Sequence, residues 1–323
     1  MENLSEAYLA ENSNITGITY SLVLGFLNLH KPTGVTSHDC VGLVRRLFSM
    51  KRVGHGGTLD PLATGVLPIA LGPATRLLPY LPTDKAYRAI IRLGVTTTTD
   101  DLAGEVVTTS PTPNLRLTDI ELALQSFKGQ IQQLPPAYSA IQVQGQRCYD
   151  LARQGKPVLV QPRTVEIFAI GILDWRPAVE DYAEVEVAIA CGPGTYIRAI
   201  ARDLGASLGT GGTLASLIRT RSCGMELDQS LTLTALETQL AHHQFAPLPL
   251  DTTLPQPTVT LTAEWGQRFA WGQTIPWQME QGLEPRSSEA NGTIVQVRSQ
   301  DQGFLGMGQL QETLLRPKVI IPS

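Results

Sequence analysis

The residues best suited to chemistry lie in one stretch, Gly54-His55-Gly56-Gly57-Thr58-Leu59-Asp60-Pro61-Leu62-Ala63-Thr64-Gly65. It sets one carboxylate and one imidazole in a glycine-rich clearing. Pro61 fixes its own φ and pushes Asp60 out of the helical region toward an extended backbone. The glycines at 54, 56, 57 and 65 remove Cβ bulk, so a second backbone or a ligand can come close. A carboxylate on such a restrained backbone can serve as a nucleophile or a base. The same composition also fits an ordinary Asp-Pro turn with no chemical role.

Other chemistries lack their residues. Cys40, Cys148, Cys191 and Cys223 are scattered, with the spacing of neither a zinc site nor a disulfide framework, which points to a reducing compartment. His242-His243 is adjacent rather than four apart and reads as a solvated helix end. Without metal or nucleotide motifs, neither a metal nor a cofactor is expected. The N-terminus carries Glu2, Glu6 and Glu11 and no Lys or Arg before residue 25, unlike a secretory or transit segment. The apolar run at 22–29 is broken by glycine and asparagine and is too short to span a bilayer. A soluble, cytoplasmic protein is therefore expected.

The elements that must position Asp60 can be read in chain order. Residues 1–24 form a polar extension. Residues 25–29 alternate weakly, as in an edge strand. Pro32 and Gly34 make a turn, and Thr36 or Ser37 caps a helix carrying Val41, Val44 and Phe48. After Asp60 come a buried strand at 66–71, with Pro68 near an edge or bulge, and a short helix at 74–80. Residues 85–93 alternate clearly: Tyr87, Ala89, Ile91 and Leu93 share one face, Arg88 and Arg92 the other. Thr118 and Glu121 have the spacing of a capping box for a helix that runs to about Lys128 and stops at Gly129. Strands follow at 163–173 and 183–191, then a helix through 203–205. Pro-rich 247–257 reads as a linker. Beyond it lie a short helix at 263–271 and strands at 293–297 and 304–307. Periodicity alone gives an α+β fold.

The stretch around Asp60 resembles the catalytic signature of the TruB family of tRNA pseudouridine-55 synthases, G-H-x-G-x-L-D-P-x-A-x-G, and fills each of its fixed positions. The likeness runs from Gly25 to the C-terminus. It includes Lys31-Pro32-x-Gly34-x-Thr36-Ser37, the Pro135-Pro136-x-Tyr138-Ser139-Ala140 run, Gly194-Thr195-Tyr196-Ile197-Arg198, and Leu217 ahead of Arg219-Thr220-Arg221. Gln142 and Pro193 stand where the family usually has lysines, which puts phosphate contacts there in doubt.

The resemblance implies a pseudouridine synthase fold with a mixed, largely antiparallel sheet and flanking helices at 25–250. A small β-rich PUA-like domain would follow at 251–323, with a plain β cap as the alternative. It implies isomerisation of uridine 55 in the T-loop of tRNA, with Asp60 as the catalytic carboxylate on a flipped-out base. Arg198 would be the cation beside that carboxylate, and Tyr196 would sit close to the uracil. Tyr87 would stack on the base, although a core tyrosine with a satisfied hydroxyl fits the same pattern. Leu217 would be an apolar wall in a largely apolar cleft. His55 would wedge into the space that the base vacates, and Arg76 would meet RNA. Lys31 would either touch the RNA backbone or buttress its own turn. Attack at C1′, attack at C6 and removal of the 2′ proton all remain open.

The net charge of −4 does not mark a nucleic-acid binder. From Gly25 to Ser110, however, nine Lys/Arg face six Asp/Glu, so the positive excess surrounds Asp60. The expected partner is the T-arm stem-loop of tRNA, bound by a monomer with no membrane and no obligatory protein partner. Two other readings stand beside this one. One is the catalytic subunit of an RNA-guided pseudouridylation particle, which would carry basic extensions that this chain lacks. The other is a tRNA-folding chaperone acting by binding alone.

Overall fold

The computed structural model describes residues 23–112, 115–138, 142–143, 146–147, 160–178, 182–251, 253–276 and 292–322. In chain order the strands are β1 (Gly25–Lys31), β2 (Val53–His55), β3 (Thr64–Leu71), β4 (Lys85–Leu93), β5 (Val95–Thr97), β6 (Val106–Thr109), β7 (Gly129–Gln133), β8 (Gln142–Val143) and β9 (Gln146–Arg147). They continue as β10 (Arg163–Arg176), β11 (Ala183–Cys191), β12 (Gly212–Ser222), β13 (Met225–Glu226), β14 (Thr258–Leu261), β15 (Ile275–Pro276), β16 (Ile294–Ser299), β17 (Gly303–Gln311) and β18 (Leu314–Ile320). The α-helices are α1 (Ser37–Leu47), α2 (Leu117–Gln125), α3 (Ile197–Ser207), α4 (Leu233–Ala241) and α5 (Ala263–Ala270). The short helix expected at 74–80 is a 3-10 helix, Gly72–Tyr80, with Pro79 inside it.

The chain divides into two compact units. One comprises Met1–Leu59, Leu67–Pro82 and Cys223–Ser323; the other comprises Asp60–Val66 and Thr83–Ser222. In the second unit β12, β4, β11, β10 and β7 pair in that order, all antiparallel, and β12 meets the start of β3 in parallel at Thr64 and Gly65. Alternation decides which face is buried. Tyr87, Ala89, Ile91 and Leu93 of β4 are buried, as are Ala183, Val185, Val187, Ile189 and Cys191 of β11. On the opposite face Arg92 pairs with Glu184 directly across the strands at 2.9 Å, and Arg88 reaches Glu186 diagonally at 2.6 Å. Helix α3 packs on β12 at a glycine pair: a Cβ on Gly205 would lie 2.1 Å from the Gly212 nitrogen, so no larger residue fits there.

In the first unit β1 is buried along its length and leans on α1 and α4 through Leu27, Leu29, Val41, Val44, Leu236 and Leu240. Its outer edge is not bare: Phe26 exchanges two backbone hydrogen bonds with Leu248, at 3.0 and 2.8 Å. The Pro-rich stretch 247–257, read as a linker, is thus held to β1 at Leu248. Further along that stretch, the carbonyls of Leu254 and Gln256 accept from the Gln296 amide. Pro68 lies in β3 between the residues paired to β12 and those paired to β2, and its carbonyl accepts from the Gly56 N–H at 2.8 Å. The C-terminal sheet runs β14-β16-β17-β18-β15 around Val259, Phe269, Val295 and Leu315. Its first pair is parallel and the rest antiparallel. The whole is the mixed α+β fold with a small β-rich PUA-like C-terminal part.

One helix boundary differs from its sequence signal. Helix α2 begins two residues ahead of the expected cap: Asp119, not Thr118, serves the terminus, accepting from the Arg116 backbone N–H at 3.1 Å and from its guanidinium. An Arg116–Asp119 pair supplied two interactions where Thr118 offered one. Helix α1 keeps its expected cap, with Thr36 and Asp39 bonded reciprocally.

Candidate active site

Asp60 opens a four-residue turn. Its carbonyl accepts from the Ala63 N–H at 3.1 Å, with Pro61 at the second position. The Asp-Pro turn allowed by the composition is thus present, and Asp60 is its first residue. Just before it, the Ser37 hydroxyl accepts from the Leu59 N–H at 2.8 Å and donates to the Leu59 carbonyl at 3.1 Å. Just after it, Gly65 sits at φ 100°, where an added Cβ would lie 2.3 Å from the Arg219 carbonyl oxygen. Glycine is required here both for its backbone conformation and for the close approach of β12.

The Asp60 side chain is 40% exposed, so its carboxylate is open to solvent. Arg198, at the start of α3, is only 6% exposed at the side chain, and its Nε lies 2.9 Å from Asp60 Oδ2. The buried Nε–H is not aimed well enough to make a hydrogen bond. The contact is a charge pair held by placement. The other two guanidinium nitrogens are anchored on backbone, Nη1 to the Thr99 carbonyl at 3.0 Å and Nη2 to the Tyr138 carbonyl at 2.8 Å. Asp101, also buried, stands 3.7 Å from the same Nε and is itself held by Thr99 Oγ1 and the Ala103 N–H.

Tyr87 and Arg219 are direct cross-strand partners on β4 and β12. Arg219 is wholly buried, donates from Nε to the Val66 carbonyl at 2.7 Å and hydrogen-bonds the Tyr87 hydroxyl. Burial pushes the Tyr87 hydroxyl up to about 12, an effect that Arg219 only partly opposes, so at neutral pH the hydroxyl keeps its proton. Leu217 lies two residues before Arg219 on β12, opposite Ala89, and is buried. Tyr196 is half-buried and forms the N-cap residue of α3.

Asp60, Tyr87, Tyr196, Arg198 and Leu217 all belong to the second unit, in which Asp60 meets Arg198 and Tyr87 meets Arg219. His55, Lys31 and Arg76 belong to the first unit. His55 ends β2, half-buried, with Nδ1 accepting from the Gly57 N–H at 3.3 Å. Arg76 is exposed and donates to the Ile320 carbonyl at 2.8 Å. Lys31 is corrected. It is fully buried, and its Nζ donates to the carbonyls of Pro32 and Val35, both at 2.8 Å. It buttresses its own turn and offers no charge to a phosphate.

Arg219 and Asp101 were missed in the sequence. Arg219 left a signal, an arginine in phase with inward-facing Leu217; Asp101, in an irregular turn, left none. Of the Pro135–Arg153 motif, residues 139–141, 144–145 and 148–153 lie outside the described residues. Among the described residues Cys40, Cys191 and Cys223 are buried and in no disulfide. No three or more His, Cys, Asp or Glu side chains among them gather as for a metal ion, and no helix among them is long and apolar enough to cross a membrane.

Residues 45–197 match the family described as TruB family pseudouridylate synthase (N terminal domain), and residues 257–321 match Pseudouridine synthase II TruB, C-terminal. A tRNA pseudouridine synthase B of Acaryochloris marina is 56% identical over 93% of this chain and 100% of its own. Its counterpart in Trichormus variabilis is 54% identical over 92% of this chain and 98% of its own. Among solved structures, a Cbf5-Nop10-Gar1 complex aligns with a TM-score of 0.67 over 93% of this chain and 85% of that one. At 24% identity this likeness speaks for the fold alone. Relatives alike from end to end, both family matches, and a turn-mounted carboxylate paired with a buried arginine agree: the chain belongs to the TruB family of pseudouridylate synthases.

Proposed function

We propose that the protein isomerises uridine 55 in the T-loop of tRNA to pseudouridine, with Asp60 as the catalytic carboxylate. The observation that carries this reading is the Asp60–Arg198 pair, a half-open carboxylate against a buried, backbone-anchored cation. The relatives named tRNA pseudouridine synthase B, alike over their whole lengths, support tRNA as the substrate. The particle-subunit reading has only the likeness of fold behind it.

In the reaction the N1–C1′ bond breaks, the uracil turns, C5 bonds to C1′, the C5 proton leaves to solvent, and N1 takes up a proton in its place. No electrons are exchanged with a second reactant. Asp60 acts as nucleophile or base, with one oxygen against Arg198 and the carboxylate open to an incoming base. Arg198 stabilises the carboxylate's charge without a directional hydrogen bond, so the carboxylate can adjust as the sugar arrives. Tyr87 offers a ring for stacking, and Leu217 excludes water while the uracil is detached. Tyr196 faces the uracil and exchanges a proton with it. The base must first leave its loop, at a cost of a few kcal/mol, and stacking on an aromatic ring returns about 1–3 kcal/mol. His55 fills the vacated space. Residues 25–250 serve as the catalytic domain, and 251–323 add remote RNA contacts.

The test is to incubate T-arm stem-loop RNA with the protein and map pseudouridine by its carbodiimide adduct. Tritium release from C5-labelled uridine is followed in parallel for Asp60→Asn, beside filter binding. Loss of release with retained binding is expected, because phosphate and stacking contacts carry most of the affinity. Release that persists in Asp60→Asn would sink the assignment of that carboxylate as catalytic, and wild-type protein that binds the RNA without any release would favour the chaperone reading.

A further inference from the structure

Gln133 ends β7, in register with Arg163 of β10, and is 1% exposed. A buried amide needs partners for its oxygen and its nitrogen. Gln133 finds both on a single residue. Its Oε1 accepts from the Tyr196 N–H at 2.8 Å, and its Nε2 donates to the Tyr196 carbonyl at 3.1 Å. That pattern also fixes which end of the amide is which, because a backbone N–H can meet only the oxygen and a carbonyl only the nitrogen.

The amide stands in for a strand partner beside a residue whose backbone is extended, φ −105° and ψ 114°. With the peptide planes on both sides of Tyr196 held, its Cα–Cβ bond has one direction, and the ring can move only about its own χ angles. The helix does not supply this on its own. Within it, the Tyr196 carbonyl receives the Ile200 N–H at 3.2 Å, and the Tyr196 N–H is one of the donors a helix start leaves unpaired. One turn further, Arg202 fastens the residue after Gln133 by donating to the Leu134 carbonyl at 2.8 Å. Arg198 has its own anchors on Thr99 and Tyr138, so the Gln133 clamp bears on Tyr196 itself.

We propose that Gln133 is a positioning residue that aims the Tyr196 ring at the reacting uracil. The inference rests on the reading that Tyr196 faces the base. A displacement of about 1 Å in a group that must meet a reacting atom can cost about 100-fold in rate, whereas binding of a whole tRNA is spread over many contacts.

The experiment is a double-mutant cycle on single-turnover tritium release at saturating T-arm RNA, with RNA affinity and thermal melting measured on every variant. Gln133→Met keeps the length and removes both bonds. Gln133→Glu keeps the acceptor and loses the donor, and it carries the test should the methionine variant not fold. The expected result is a rate lowered about 10–100-fold for Gln133→Met and by less for Gln133→Glu, with RNA affinity within about 2-fold. In a Tyr196→Ala background either change should cost less than about 3-fold more, since no ring is left to aim. A clamp that only holds the fold together would lower the melting temperature and leave the rate per folded enzyme unchanged; that result overturns the inference. Full additivity with a slow Tyr196→Ala overturns it too, while leaving Tyr196 at the base. An unimpaired Tyr196→Ala overturns both this inference and that placement of Tyr196.

Discussion

Asp60 and Arg198 face each other at 2.9 Å with opposite exposure: the carboxylate is 40% open and the arginine 6%. The arginine is the fixed member. Backbone carbonyls of Thr99 and Tyr138 hold its Nη atoms, so the Nε edge is presented to Asp60 in the protein alone. A preset charge of this kind costs no reorganisation when the reaction begins.

Arg198→Lys should therefore fail despite keeping the charge. A lysine is a point charge and cannot occupy two carbonyls in a planar fork while facing a carboxylate. Single-turnover tritium release should fall about 100-fold or more, a size typical of losing one aimed electrostatic group. Affinity for T-arm RNA should hold. A rate within a few-fold of the wild type would show that the charge alone suffices.

Tyr87 sets a pH dependence at the alkaline end. Burial raises its hydroxyl from an ordinary value of 10.0 to about 12. Below pH 10 the native and unfolded chains both keep the proton, and Tyr87 adds no slope. Between pH 10 and 12 the unfolded chain loses it and the native chain does not, so stability falls with pH, by up to about 3 kcal/mol. Tyr87→Phe should remove that part of the slope. Denaturant melts of both proteins at pH 9, 10 and 11 would read it; parallel curves would contradict a buried neutral hydroxyl.

Lys31→Ala should act on the fold. The change strands two carbonyls that now share one buried ammonium and opens a cavity, costing about 2–4 kcal/mol. Melting temperature should drop while the salt dependence of tRNA binding stays the same. A phosphate contact would instead lower the salt slope by about one unit at unchanged stability.

His55→Ala should slow modification of full tRNA more than that of an RNA whose loop is already open, because a wedge matters only when a base must be displaced. Comparing rates on the two substrates decides it. Equal losses would assign His55 to its local turn, where Nδ1 receives the Gly57 N–H.

Several features could be read from residue order alone. The alternation in 85–93 placed Tyr87 inward and Arg88 and Arg92 outward, because side chains alternate along any strand with one buried face. Thr36 or Ser37 ahead of Val41 and Val44 marked a helix start, and the fixed letters around Asp60 marked the family; each depends on neighbours within a few positions. Tertiary structure decided what depends on distant partners. Whether Lys31 met solvent or carbonyls was a matter of packing, and its sequence context fits both. The Arg219 contacts arise because β12 crosses beside β4 and the start of β3, bringing residues 66, 87 and 219 together. The Gln133 amide meets Tyr196 across 63 residues of chain. Local rules fix which elements form and which faces are buried, while hydrogen bonds and ion pairs between distant segments exist only once those faces have packed.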